Sequence, residues 1–548
     1  MAEEEIKQDA PAEKKTFGQV ITDAINELGG TFKAFFQAPQ ALWGVNVPYI
    51  IEGLVYFGIL TILGKFSSEN VGLTDAQAGV VYSFVTGGIT FAMLIFGGWA
   101  DKLGVRKALI IAFGAMLIGR IFVSLSGTLS LGHGLWSPMF FTMMGGLTIM
   151  VLAYGLFQPA AYSGVKRYTN KKTAAMGYAV IYGLMNLGAF FSGFISSFTR
   201  HSFVNVFPPN GLTAVFWVYV ILTAVSLILT MVLITRKSDK AAVEKVIKQN
   251  EELVRKGEAV EDEEDEDSAK PKVKVNNIPV IFYSLLALSF FMLSDFGIKN
   301  SINKVFDIRL FELNIHIDIA FILSMVMVGI AVWDYLKRRP WHPFRDKRFT
   351  FFIFILVPVQ TLFAHNWLTL PYYLDRAFQG TVVSRYFEVF TNLNPILIFI
   401  LTPVIAGLTA KANVYKMMIW GTLVMAIPTF LLAIGPHVIS FLVYVLFMTI
   451  GEAMWSPRFL QWIAEIAPKG KVGLYMGVGQ FPWFLDKVVT GLYSGWFLEK
   501  YCPKGVPVSE LHTGTLWFIY GLIAIITPIS LWLAKNWMLK GMPGEAKN

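Results

Sequence analysis

Five ionisable side chains stand inside long apolar runs of this chain: Glu52 in PYIIEGLVYFG, Arg120 in GRIFVSL, Glu452 in IGEAMWSP, and the adjacent Asp486 and Lys487 in FLDKVV. An Asp, Lys or Arg at the centre of a membrane helix costs roughly 2.5 to 3.5 kcal/mol, so each retained charge should face a partner or a cavity. Groups so placed can exchange protons, pair with one another, or hold the opposite charge of a solute. Glu52 left alone is a candidate proton carrier. Paired with Arg120 it would stay ionised, and coupling would be lost or moved to Glu452. A plain structural pair between neighbouring helices explains the same two residues. Asp486 and Lys487, being adjacent, point about 100° apart on a helix. They cannot both face one cavity centrally, and pairing with other helices is the expectation for them.

The elements that position these charges follow from composition. Hydrophobic residues make up 55% of the 548 and charged ones 15%, with a mean hydropathy of +0.55. Such a chain is too apolar for a soluble globule and reads as a multi-pass membrane protein. The net charge of +9 lies in short Lys/Arg clusters between apolar runs, where it orients the chain in a bilayer rather than attracting nucleic acid. One cysteine, Cys502, excludes an internal disulfide and any multi-cysteine metal or redox motif. About 20 apolar residues span the hydrocarbon core. Fourteen such windows occur, six between 41 and 234 and eight between 279 and 535. The basic clusters DKLGVRK, KRYTNKK, KRRPWHPFRDKR, KANVYK and PKGK then fall on one side with both termini, which marks that side as cytoplasmic; the mixed-sign loop 298–317 is the main exception.

These windows imply six domains or segments: a cytoplasmic N-terminal segment 1–40, a six-helix bundle 41–235, a charged cytoplasmic linker 236–277, an extra transmembrane hairpin 278–337, a second six-helix bundle 338–538 and a tail 539–548. The linker holds a helix-forming stretch, KAAVEKVIKQNEELVRK, and then the acidic run EDEEDED, which reads as solvated and disordered. The segment TFGQVITDAINELGGTFKAFFQAP has helical periodicity, suited to the membrane interface or to a frayed tail.

Between the second and third windows lies GGWADKLGVRK. Its glycines allow close helix contact, and its charges can pair across a tight turn. As a pattern, Gly98, Asp101, Gly104, Arg106 and Lys107 closely resemble the turn after the second helix in the major facilitator superfamily. That resemblance implies paired six-helix bundles, a conformational gate at this turn, and a solute site between the bundles near the midplane.

Four further stretches resemble the proton-coupled oligopeptide transporter family: GLFQPAAYSGVKRY, YAVIYGLMNLGAFFSG, NLNPILIFILTPVIAGL and IGEAMWSPRFLQWIAEIAPKGKVGLYMGV. The likeness runs from about Pro48 to Leu474. Against the family's first-helix motif, Glu52, Tyr56, Phe57 and Gly58 match, while Tyr49 stands for its first Glu and Gly53 for its Arg; Gln158 stands for its fourth-helix Lys. The resemblance implies that Glu452 holds a substrate amino group. The missing cations count against ordinary recognition of a peptide carboxylate, and Arg120 is the candidate to replace them. Tyr56, Tyr82, Asn186 and Trp455 are candidate cavity-lining groups, with packing the plainer reading for Tyr82 and Trp455.

No G-x-x-x-x-G-K-[ST] or H-E-x-x-H occurs, and the seven histidines are scattered, with His133, His201, His365 and His437 in or near loops on the outer side. Neither enzyme, metal site nor cofactor is expected. The expected fold is all-α, a major facilitator arrangement of fourteen transmembrane helices working as a monomer in a plasma or inner membrane. The expected function is proton-coupled uptake of small peptides or peptide-like solutes by alternating access. The alternatives are transport of a non-peptide, amphipathic or cationic solute, and a transport-inactive sensor on the same fold.

Overall fold

A computed structural model describes residues 39–129, 131–170, 174–255, 276–294, 304–310, 313–340, 342–409, 412–468 and 472–540, with 18, 19 and 22. The rest of the N-terminal segment, the acidic run and the last eight residues lie outside them. Two compact units are present. One comprises Met1–Glu261, Ile355–Glu465 and Gln480–Asn548; the other comprises Asp262–Phe354 and Ile466–Gly479.

In the first unit, helix α1 (Gln40–Lys65) runs on through a π-helical turn, Phe66–Asn70. It is followed by α2 (Asp75–Leu103), α3 (Val105–Thr128), α4 (Pro138–Tyr168), α5 (Ala174–Phe203), α6 (Leu212–Leu233) and the polar α7 (Arg236–Arg255). With no water in the hydrocarbon core, a helix is the form that satisfies all its own backbone groups. Close approach between helices is then set by small residues. A Cβ on Gly119 of α3 would lie 2.6 Å from the Gly146 carbonyl of α4, and one on Gly146 would lie 2.5 Å from that of Gly119.

The charged stretch after α6 is ordered over its first half. Arg167 and Tyr168 on α4 hydrogen-bond the Asp239 carboxylate at 2.9 and 2.7 Å, Asn170 donates to Gln249 at 2.9 Å, and Ala242 is buried. Partial burial alone would raise the Asp239 pKa, but the hydrogen bonds from Arg167 and Tyr168 outweigh it and hold it below the ordinary value. The stretch expected to form a helix does so and packs against α4, while the acidic run lies outside the described residues.

The second unit contains α8 (Ile278–Leu293), an antiparallel pair β1 (Lys304–Leu310) and β2 (Leu313–Asp318), α9 (Ile319–Lys337) and α10 (Lys347–Ile355, up to Phe354). Ser324 on α9 donates to the Ala287 carbonyl on α8 at 2.8 Å, and Asp318 caps α9 by accepting from the Phe321 amide. The mixed-sign loop is thus a β-hairpin added to an otherwise helical fold.

The remaining helices include α11 (Val357–Leu368), α12 (Leu370–Ala377), α13 (Phe387–Thr391), α14 (Leu393–Leu408), α15 (Val414–Ala426), α16 (Val438–Ile466), α17 (Val472–Gly479, in the second unit), α18 (Phe481–Tyr501) and α19 (Thr513–Leu533). Twelve helices among the described residues are long and apolar enough to cross a membrane. Two of the fourteen windows fall short for separate reasons. Helix α8 has 16 residues, about 24 Å at 1.5 Å per residue. The window 474–497 breaks between α17 and α18, and α18 is long enough but carries Asp486, Lys487, Glu499 and Lys500.

Candidate functional site

Glu52 and Arg120 meet in the interior of the first unit, 2% and 0% exposed. The guanidinium grips both carboxylate oxygens, with Nη1 to Oε2 at 2.9 Å, and also donates to the Tyr154 hydroxyl at 2.9 Å and to Thr223. Tyr154 in turn donates to Glu52. Four helices, α1, α3, α4 and α6, contribute one group each. This is a buried cluster in which both Nη atoms of Arg120 and both carboxylate oxygens are engaged, while Arg120 Nε is left without a partner, and the carboxylate is held as a partner rather than offered to one. Tyr154 and Thr223 escaped the sequence reading because a hydroxyl in an apolar helix carries no signal until its partner is known.

Gly53, next in the chain, shows why the cation had to come from elsewhere. A Cβ there would lie 2.9 Å from the Met185 carbonyl, and one on Gly188 would lie 2.4 Å from that of Ile50. Helices α1 and α5 touch backbone to backbone at this level, so no side chain fits. Tyr49 is buried, stacks on Phe157 with centroids 5.5 Å apart and donates to the Met185 sulfur at 3.6 Å. Gln158 is half-buried on α4, and Tyr56 packs its ring against Tyr154 at 5.3 Å.

Glu452 has a different environment. It is buried on α16 and held by Asn394 of α14, whose amide donates to Oε2 at 2.8 Å and to Thr449 at 3.0 Å. Across from it, on α5, Tyr182 lies within electrostatic reach, yet it is 51% exposed. A tyrosine that both feels a buried carboxylate on another helix and meets solvent lines an open cleft between the two groups of helices. Asn186, one turn on, donates to the Tyr182 carbonyl at 3.0 Å, and Tyr162 and Tyr178 extend the same wall with centroids 6.1 Å apart. Glu452 faces this cleft, and among the described residues no cation pairs with it. Asn394 and Tyr182 were also absent from the sequence-derived site, although NLNP holds the former.

Ion pairs close one end of the cleft. Lys65 bonds Asp375 at 2.5 Å and Glu69 at 2.6 Å, Arg376 bonds Asp75 at 2.6 and 3.0 Å, and Arg200 pairs with Glu388 while donating to the Arg385 carbonyl at 2.8 Å. Apart from the local Lys65–Glu69 pair, each joins the helices before residue 255 to those after 355. At the same end α2 and α18 pack through small residues: a Cβ on Gly79 would lie 2.3 Å from the Gly491 carbonyl, and Ser83 donates to the Val488 carbonyl at 3.0 Å. Among the described residues, no ion pair joins the two groups at the opposite end, where the α2–α3 turn lies. There Gly104 adopts φ +75°, Arg106 donates to the Ile234 carbonyl at 2.6 Å and Lys107 is exposed. The side chains at Gly98 and Asp101 lie outside the described residues.

Asp486 is fully buried and accepts one hydrogen bond, from Thr490 at 3.1 Å, with Oδ2 unpartnered. It does not pair with another helix, contrary to expectation; its neighbour Lys487 is half-buried. Tyr82 is buried beside it, and Trp455 stacks on Trp483 and donates to the Met425 sulfur at 3.2 Å, so both pack rather than line the cleft. His365 is not in a loop: it is fully buried on α11.

Residues 47–384 match the family model of the Major Facilitator Superfamily. Over 162 residues the chain is 24% identical to dipeptide and tripeptide permease A of Edwardsiella piscicida, which covers 29% of this chain and under a third (31%) of that relative. Among solved structures, a peptide transporter POT in complex with sulfate superposes with a TM-score of 0.61 at 16% identity, covering 92% of this chain and 96% of that one. A proton dependent oligopeptide transporter, from work on substrate recognition, gives 0.59 at 18% identity over 91% and 99%. A POT family transporter in complex with 5-aminolevulinic acid gives 0.56 at 16% identity over 92% and 97%. At these identities the solved structures share the fold.

Proposed function

The chain belongs to the major facilitator superfamily, and on that footing we propose that it is a secondary transporter of small peptides or peptide-like solutes with a free amine, moved by alternating access and coupled to protons. The bundles 41–235 and 338–538 are the two moving halves, both termini are cytoplasmic, and the ion-paired end faces outward. The observation that carries this reading is Glu452: a buried carboxylate steadied by Asn394 and turned to an open cleft lined by Tyr182 and Asn186. A cationic amine entering the cleft would find there an anion already held in place, and the tyrosine rings suit an ammonium. The named relative, a dipeptide and tripeptide permease, and the POT transporters point to the same cargo class.

A second reading, a cationic or amphipathic solute that is not a peptide, is favoured by one feature. Gly53 and Gln158 supply no cation for a substrate carboxylate, and Arg120 is buried and paired with Glu52. Counterflow in proteoliposomes separates the two readings. An alanine dipeptide, its N-acetylated form, its C-amidated form and a quaternary ammonium amphiphile are offered as competitors to the wild type and to Glu452→Gln. Loss of competition on N-acetylation, retention on C-amidation and loss of both in Glu452→Gln are expected. Equal competition by the N-acetylated peptide would refute the amine anchor, and competition by the amphiphile alone would give the second reading.

A further inference from the structure

The paired Glu52 cluster leaves open which carboxylate takes the proton, and α18 supplies a candidate. Asp486 has no measurable exposure, one donor on Oδ1, and Oδ2 without a partner. An ionised carboxylate in a dry place with a single hydroxyl donor is far costlier than a neutral acid. The surroundings offset that cost only in part, through the Thr490 hydroxyl and the charge of Lys487, which points off the helix at about 100° and is half-buried; Tyr82 faces the carboxylate from α2 and Tyr493 lies two turns along α18.

From Asp486 a line of polar groups leads through the same half of the unit. Thr490 donates to Oδ1 at 3.1 Å, and the hydroxyl of Tyr493 neighbours those of Thr490 and Thr361. Tyr493 is hydrogen-bonded to His365 Nε2 at 2.9 Å, and His365 Nδ1 to Thr369 at 2.7 Å. The imidazole stacks on Tyr520 of α19, with centroids 3.8 Å apart and planes within 18°. Two proton-accepting groups thus stand at the ends of a path of hydroxyls inside the membrane.

We propose that Asp486 is the proton-binding carboxylate of this transporter, with Thr490, Tyr493 and His365 forming the hydrogen-bonded path that leads from it. The proposal rests on the transporter reading above. One proton adds to Oδ2 and gives the neutral acid; its departure restores the carboxylate, and nothing else is made or broken. Coupling follows from position. Asp486 lies on α18 just before Lys487 and Val488, whose carbonyls receive Ser83 of α2, and a Cβ on Gly87 would lie 2.5 Å from Val488. Parting α2 from α18 lets water reach the carboxylate, and closing them dries it. The closed contact therefore selects the protonated form, and the halves shut on this side with a proton aboard.

The test uses purified full-length protein and the variants Asp486→Asn, Glu52→Gln and Glu452→Gln. Infrared pH-difference spectra report the carboxylic C=O band of a buried acid. A titrating band lost in Asp486→Asn and kept in Glu52→Gln is expected. In proteoliposomes, Asp486→Asn should lose peptide-driven acidification, read by pyranine, down to the level of empty vesicles, while peptide counterflow persists. His365→Gln should slow acidification without removing the band. A band that survives Asp486→Asn, or one that disappears in Glu52→Gln, overturns the proposal. If the wild type exchanges no peptide, the cargo reading fails, and the infrared band still decides whether Asp486 binds the proton.

Discussion

Removing Arg120 should leave Glu52 in a place where no other cation reaches it. At a separation near 3 Å and an effective dielectric constant near 20, the attraction between the two charges is about 5 to 6 kcal/mol. Much of that offsets the cost of drying both ions, so the pair adds little net stability, while breaking it by removing one partner costs about 3–5 kcal/mol. Only the Tyr154 hydroxyl would remain on the carboxylate. Arg120→Met should therefore destabilise by about 3–5 kcal/mol, and Glu52→Gln/Arg120→Met should recover at least roughly half of that, because the unpaired charge is gone. Equilibrium unfolding in mixed detergent micelles, followed by fluorescence of the 15 tryptophans, reads all four corners of the cycle. Losses that simply add across the two single variants would refute the pairing argument, and with it the reason for moving the proton away from Glu52.

Gly53→Ala should cost about 1–3 kcal/mol through overpacking against Met185, and Gly53→Arg should fail to restore the family's first-helix motif. Normal folding and solute affinity in Gly53→Arg, measured by thermal melting and counterflow, would show that α1 and α5 can part. The one cysteine, Cys502, reports on the ion-paired end, since Arg376 donates to its carbonyl at 2.8 Å and burial pushes its thiol up to about 12. At pH 8 its maleimide reaction should run roughly three orders of magnitude below that of a free thiol of pKa about 8.5. Arg376→Met should speed it at least about tenfold, and an unchanged rate would remove the Asp75–Arg376 pair from the closure.

Hydropathy alone made the spans legible, because a bilayer imposes one length and one composition on every crossing. The same rule counted α8 as a full span although its helix has 16 residues, and passed over the break between α17 and α18, which lies in apolar sequence. The hairpin at 304–318 was invisible to it, since its residues alternate in no pattern a membrane window records. The candidate site was legible where a charge stood alone in an apolar run: Glu52, Arg120, Glu452 and Asp486 were all found that way. Their hydroxyl and amide partners were not, because Tyr154, Thr223, Asn394 and Thr490 are compatible with any helix. His365 was misplaced for a related reason. Read as in or near an outer loop, it lies in the last turn of α11, where Tyr493, Thr369 and Tyr520 satisfy and cover the ring.

The substitutions at Gly53 and Gln158 look, in sequence, like damage to a coupling motif. The structure gives them a different sense. Gly53 lets α1 and α5 come into backbone contact, which leaves no space for a cation on α1, and Arg120 reaches the same carboxylate from α3. The local charge balance around Glu52 is thereby kept, with both carboxylate oxygens held in a bidentate pair. A cation that sits 0% exposed behind Tyr154 is also out of reach of a solute in the cleft. On the function proposed above, cargo recognition falls to Glu452 and proton binding to a carboxylate outside this cluster, which would separate the two tasks onto α16 and α18. If that separation holds, Glu452→Gln should abolish solute binding and leave the titrating acid band in place, whereas Asp486→Asn should do the reverse. A single variant that removes both would show one carboxylate performing both tasks.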